Sequence, residues 1–269
     1  MSAVIGILIA IGILIECRYR DIKRELKRFK KMTDMKTAKK YKLTDETIQV
    51  GGHTLHRIEA LTDFSDVYKG DKGGFVESED NLSQSNDCWV YDDAKVFSNA
   101  MVSDDALVFG NAQVYDKAKV FGVAFVFNDA VICGDAEVCG NAIVYDDAEV
   151  CGNARVFGKA KIWGNASISD NVRVYDNARV SGNARVYGNA KICGDAKVES
   201  ASDYIVFKNW WSSGRYFTWT RSNNMWSVGC FYGTGEGLIA KAYKDSELSG
   251  REYERVVKYV ESILKDSRK

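Results

Sequence analysis

From Ala94 to Ala201 apolar and polar positions follow a six-residue pattern that repeats eighteen times without an insertion. Each unit reads A-x-V-x-G-N, as in Ala184-Arg185-Val186-Tyr187-Gly188-Asn189. The first position is Ala in seventeen units and Val172 in the other, and the third is Val or Ile in all eighteen. Alternate residues of a strand face the same way, so positions one and three point together into a core while position two points out. Position five is Gly in ten units and otherwise Asp, Asn or Ser, and position six is Asn or Asp in fourteen. These residues accept left-handed backbone angles or make side-chain turns. The pattern predicts a corner every six residues and hence a triangular solenoid with three corners per coil. Eighteen units make six coils, and Cys88-Trp89-Val90-Tyr91 is already in register, so six to seven coils are expected.

Written in another frame, aliphatic-x-x-x-small-x, a unit is Val156-Phe157-Gly158-Lys159-Ala160-Lys161. This resembles the hexapeptide-repeat proteins, whose fold is a left-handed parallel β-helix, and the chain is similar to uncharacterised members from phages and their bacterial hosts. The fold class expected is mainly β: a triangular single-stranded parallel β-helix over 88–201, with an N-terminal helix and a small C-terminal α+β domain over 202–269. The family is best known for acyltransferases, with γ-class carbonic anhydrases among its relatives. Acyl transfer needs a general base, normally a histidine on an inserted loop, and the anhydrase zinc needs three histidines. The hexads contain no histidine and no insertion, so no catalytic residue, metal ligand or cofactor carries over to this chain.

Ahead of the hexads, thirteen uncharged residues from Ala3 to Ile15 precede Arg18, Arg20, Lys23, Arg24, Lys27, Arg28, Lys30 and Lys31. A helix over the first seventeen residues would be about 25 Å long against a hydrocarbon core of about 30 Å, a short span. Positive charge after the apolar run predicts a membrane anchor and basic amphipathic helix over 1–31, with the body in the cytoplasm. Burial of the apolar face in an oligomer is the alternative. Residues 32–45 read as a solvated linker and 46–87 as a capping module. That module is expected to hold a hairpin of Glu46–Val50 and His53–Glu59 around Gly51-Gly52. His53 and His56, the two histidines of the chain, would point to opposite faces of their strand.

Beyond the hexads the sequence predicts strands at Tyr204–Lys208, Arg215–Thr220 and Met225–Phe231. It further predicts helices at Glu236–Lys244 and Arg251–Leu264, the second capped by Ser249 with Glu252 three residues on. Gly233-Thr234-Gly235-Glu236-Gly237 precedes a helix but lacks the Lys and Thr of a phosphate loop. Ligand-binding candidates in this domain are Lys208, Trp210, Arg215, Trp219 and Arg221.

Positions eighteen apart stack, so each face reads as a column. One carries Trp89 and Tyr91, Leu107 and Phe109, Phe125 and Phe127, Ile143 and Tyr145, then Trp163. Apolar patches of this extent mark interfaces, and a homo-oligomer contact or intramolecular cover is expected here, with a carbohydrate-stacking platform as an alternative. A second column carries Lys119, Glu137, Arg155, Arg173 and Lys191 beside Phe121, Phe157 and Tyr175, which reads as a solvated face, with binding of a small anionic ligand such as phosphate, or of single-stranded nucleic acid, as the alternative. Cys133 and Cys151 lie one coil apart on the third face, near enough for a disulfide, and in the cytoplasm are expected as unbonded ladder residues.

Composition changes this picture little. Lys plus Arg and Asp plus Glu are 37 each, so the chain lacks the basic field of a general nucleic-acid binder. Proline is absent, as suits strands hydrogen-bonded on both sides. The expected function is a membrane-tethered, non-enzymatic β-solenoid scaffold presenting a C-terminal recognition module. An acyltransferase-like enzyme and a polymer-forming cytoskeletal solenoid are the alternatives.

Overall fold

A computed structural model describes Lys23 and residues 39–266. The chain divides into two units, residues 1–40 and 41–269. The proposed anchor over 1–31 and nearly all of the first unit lie outside the described residues. Among the described residues no helix is long and apolar enough to cross a membrane.

The second unit begins with strands β1 (Tyr41–Val50) and β2 (His53–Ala60), an antiparallel hairpin that continues into β3 (Lys72–Val76). The expected hairpin is therefore present, but its first strand starts earlier than the sequence suggests. Residues 41–45 belong to β1 rather than to a solvated linker. The reason is Tyr41, whose buried ring joins the solenoid core while its hydroxyl donates to the Leu82 carbonyl at 2.7 Å.

Nineteen two-residue strands follow, β4 (Trp89–Val90) to β22 (Lys197–Val198), one for each x-V step of the repeat. They form three parallel sheets in which residue i pairs with residue i+18, as Phe125 does with Ile143 and Glu137 with Arg155. The chain is thus a parallel β-solenoid of about seven turns. Every position-one Ala or Val and every position-three Val or Ile of the repeat is buried, at most 1% exposed, and together they form one continuous core. Burying a Val-sized side chain contributes roughly 1.5 to 3 kcal/mol, so the small-plus-branched pair at each step supplies the cohesion of the rod.

Corners are made at position five, where Gly adopts φ near +70° (Gly122 at 71°) and Asp or Asn near +58° (Asp170 at 58°, Asn128 at 59°). The carboxylates there have a structural task. Asp92, Asp104, Asp116, Asp146, Asp170 and Asp176 each accept, through Oδ2, the backbone N–H of the Gly eighteen residues later, at 2.8 to 3.2 Å. That amide lies between the regular inter-coil bonds, which at most corners join the position-six N–H to the next coil's position-five carbonyl, as Asp93 N–H does to Gly110. An Asp at a corner therefore satisfies a donor that the ladder leaves over.

The stacking also brings the Cα atoms of Cys133 and Cys151 to 4.6 Å, and the two are joined by a disulfide, not left as separate ladder residues. Parallel neighbours in one column fall inside the Cα spacing a disulfide requires.

The C-terminal module is a four-stranded antiparallel sheet, β23 (Tyr204–Lys208), β24 (Tyr216–Thr220), β25 (Met225–Val228) and β26 (Phe231–Gly233). Two helices follow, α1 (Gly235–Asp245) and α2 (Glu247–Asp266). The expected strand at Met225–Phe231 is broken in two because Gly229 turns the chain at φ 60°. Ser249 does not cap the last helix. It donates its N–H to Ser246 Oγ at 3.1 Å, so Ser246 is the cap, and Glu252 pairs with Arg255 instead.

One face of this sheet, with Phe217, Trp219, Trp226 and Val228, packs on Leu238, Val257 and Val260 of the helices. The other face meets the end of the rod. Tyr204 and Val206 pack on the solenoid core, Thr218 Oγ1 accepts from Lys191 N–H at 2.9 Å, and Ser222 Oγ accepts from Lys197 N–H at 2.7 Å.

Two glycine corners separate backbone strain from crowding. A Cβ on Gly122 would stand 2.9 Å from the Gly140 amide nitrogen, whereas Gly188, at φ 75°, has nothing within 4 Å of that point. Gly188→Ala is expected to cost about 1 to 2 kcal/mol, the left-handed penalty alone. Gly122→Ala is expected to cost more, and equal losses in thermal melts would contradict the close approach of successive coils.

Candidate functional site

The aromatic column of the apolar face is built by the repeat itself. Phe109, Phe127, Tyr145 and Trp163 occupy position four of successive coils, and the pleat holds them in register. Their ring centroids are 4.6, 5.0 and 5.9 Å apart, and adjacent planes deviate by only 3 to 9°. The two inner rings, Phe127 and Tyr145, thus spend both faces on their neighbours, while Phe109 and Trp163 each spend one. A sugar or a base stacks on a ring face, so the inner rings offer none to a ligand. Phe157 and Tyr175 on the second column stack on each other in the same way, 5.0 Å apart and 3° from parallel.

The first residues of the proposed interface are already covered. Trp89 is 1% exposed, enclosed by Tyr41 and Phe64 of the capping module at 6.0 and 5.3 Å between ring centroids. The Tyr91 hydroxyl donates to Asp66 at 2.7 Å, and burial with that neighbouring carboxylate pushes the phenol well above its usual range. Leu107, Phe109, Phe125, Phe127, Ile143, Tyr145 and Trp163 remain half-buried along the rod.

The histidines do not converge. His53 Nδ1 lies 2.9 Å from Glu77, holding that carboxyl below its ordinary range, and His56 Nδ1 lies 3.0 Å from the Thr44 carbonyl. Among the described residues no group of three His, Cys, Asp or Glu side chains is placed to hold a metal ion.

The C-terminal candidates separate. Trp219 is 1% exposed and donates its indole N–H to Asn224 Oδ1 at 2.9 Å, so it is a core residue of this domain and not a ligand contact. Its alternation with Phe217 points both toward the helices. Trp210 is 82% exposed on the turn after β23. Arg221 follows β24, where its N–H donates to the Asp203 carbonyl at 2.8 Å. Lys208 pairs with Tyr216 across the sheet and holds its Nζ 5.8 Å from that ring. The glycine-rich turn before α1 is closed on itself, because Thr234 Oγ1 accepts from the Gly237 N–H at 3.2 Å.

Arg215 is the candidate that meets other chemistry. It lines a cavity of about 500 Å³ together with Asn171, Arg173, Asn189, Lys191, Tyr216 and Gly229. Arg173 and Lys191 are paired residues of adjacent coils at the carboxyl end of the basic column. Arg215 is brought to them by the docking of the C-terminal sheet. Lys191 Nζ donates to the Gly229 carbonyl at 2.8 Å, and a side chain at Gly229 would stand 3.5 Å from Arg215 Cδ and Nη1. Three cations therefore share one cleft whose walls include no Asp or Glu.

One coil back, by contrast, Arg155 Nε is 2.7 Å from Glu137, an ion pair by distance although not aligned as a hydrogen bond. A second cavity of about 500 Å³ shares Asn189 and Tyr216 with the first and is otherwise lined by Tyr187, Gly188, Ala201, Tyr204, Ile205 and Val206. Both junction cavities escaped sequence reasoning, because Arg215 and Arg173 are forty-two residues apart and nothing local joins them.

A family model described as the YdcK beta solenoid repeat matches residues 178–194. Among curated proteins, the uncharacterized acetyltransferase YdcK of Escherichia coli (strain K12) is 45% identical over 38 residues. Those residues are 14% of this chain and 12% of that protein, so the likeness spans a small part of either. It agrees with the geometry in identifying a hexapeptide-type parallel β-solenoid.

Proposed function

We propose that the chain is a non-enzymatic solenoid scaffold, tethered to a membrane by residues 1–31, that presents its C-terminal module and self-associates along its apolar face. The observation that carries this reading is the unbroken rod, whose polar corner groups are consumed by its own backbone. All six position-five aspartates bind corner amides, and no coil is opened by a loop that would bring in a base. Polymerisation end to end is disfavoured, because the hairpin of β1 and β2 lies at one end and the C-terminal sheet at the other.

Self-association is readable at Ile143, a half-buried outward residue of the apolar face. Its column continues as Lys161 and Arg179, so the fold accepts a cation at this position. Ile143→Lys is expected to shift the sedimenting species from oligomer to monomer without lowering the melting temperature. A wild-type chain that sediments as a monomer at all concentrations removes this part of the proposal.

The order of charges around the apolar run supports a body on the cytoplasmic side. In that compartment the Cys133–Cys151 bond is expected to be held reduced, so rapid alkylation on cell lysis should label both residues as free thiols. Recovery of the bonded pair would place the body in an oxidising compartment and overturn the orientation.

The name of the E. coli relative supports a second reading, acetyl transfer. Full-length protein is expected to leave acetyl-CoA unconsumed with amine and hydroxyl acceptors. Turnover that is lost in His53→Ala would replace the scaffold reading with this one.

A further inference from the structure

The two cavities at the junction of rod and C-terminal sheet differ in chemistry and share a wall. The first gathers Arg173, Lys191 and Arg215 with the amides of Asn171 and Asn189. Among the described residues none of these three cations is ion-paired with a carboxylate, although Lys191 is tied by its Nζ to the Gly229 carbonyl. Like charges held together in a cleft without a counter-charge repel one another, and a bound anion relieves that repulsion. Guanidinium groups match the oxygens of a phosphate bidentately, and a lysine adds a point charge. The second cavity carries no charged side chain and is walled by Tyr187, Tyr204 and Tyr216 with Ile205 and Val206. Here, unlike in the stacked columns, Tyr187 stands 62% exposed at the last coil, with no further coil to cover it.

We propose that these cavities form one bipartite site for a phosphate monoester bearing a planar ring, of which a mononucleotide is the simplest form. The phosphate sits among Arg173, Lys191 and Arg215, and the ring lies against the tyrosines across the shared wall of Asn189 and Tyr216. Each cavity lies within the range of about 300 to 1,000 Å³ typical of small-molecule sites. Two partners build the site, since Arg173, Asn189 and Lys191 come from the rod and Arg215 and Tyr216 from the sheet. It depends on neither the tether nor the orientation of the body, so its test is independent of theirs.

Isothermal titration calorimetry of the full chain in detergent, with adenosine monophosphate, inorganic phosphate and adenosine as separate probes, decides the matter. Saturable binding of the monophosphate is expected, with weaker binding of phosphate alone and of adenosine alone. Arg173→Gln and Arg215→Gln, both at exposed positions, are each expected to weaken the monophosphate about tenfold or more, the usual worth of a charge-assisted contact, with unchanged melting temperature. Arg155→Gln should leave affinity as it was, since Glu137 already occupies that cation. The absence of saturable binding by monophosphate or phosphate at millimolar concentration overturns the site. Equal affinity for phosphate and monophosphate removes the ring chamber from it, and affinity unchanged in both arginine variants places any binding elsewhere.

Discussion

Along the rod the amides at positions two and four, and at most corners position six, donate to carbonyls of the coil that follows. Lys95 N–H donates to Ala112, Leu107 to Ala124 and Arg173 to Ala190, each seventeen residues further along the chain. A stack with such polarity has two chemically different ends. The first coil presents mainly carbonyls and the last mainly amides, and neither end can be left unpaired without cost or without inviting another edge. The flanking modules answer this asymmetry in kind. At the carbonyl end the cover supplies donors: Phe75 N–H reaches Ala94, and Arg57 Nη1 reaches the carbonyls of Gly73 and Asp92. At the amide end the cover supplies side-chain oxygens, from Thr218 to Lys191, from Ser222 to Lys197 and from Asp203 to Glu199 and Ser200.

The same directionality explains the corners. A ladder that uses one amide per strand residue leaves the position-five amide over, and an Asp one coil earlier reaches it. Acidic residues that would be read as catalytic candidates in a hexapeptide enzyme are instead part of the backbone's hydrogen bonding. The aromatic columns are explained by the same register, since position-four rings eighteen residues apart have only one another to stack on.

This also sets what could be seen in the sequence. The coils were legible to the residue, because Ala and Val recur at fixed spacing and no insertion disturbs it. The column of Arg173 and Lys191 was legible for the same reason. The hydrogen bonds by which the caps hold the rod were not, because choosing Thr218 or Ser222 as an acceptor requires knowing which sheet face meets the rod. Trp219 looked like a ligand contact because tryptophan is common at binding surfaces, yet its indole N–H is satisfied by Asn224 five residues on. Tyr41 looked like linker because its neighbours are lysines, and its burial depends on Leu82 and Trp89, more than forty residues away. The Cys133–Cys151 bond follows from column spacing, but its presence depends on redox conditions that no local pattern encodes.

The junction cleft joins these two themes. Lys191 uses its amide to hold the capping sheet at Thr218 and its ammonium to hold the Gly229 turn, and it also lines the cationic cavity. A residue that seats the cap is thus a residue of the proposed site, and Arg215 reaches that site only while the cap is seated. A ligand bound there contacts rod and sheet at once, so it binds the docked arrangement and not the separated one. By mass action its binding free energy then adds to the docking of the C-terminal module. The amide end of the rod would in this way be closed more firmly when the site is filled, which couples ligand occupancy to the protection of an edge that the solenoid cannot protect by itself.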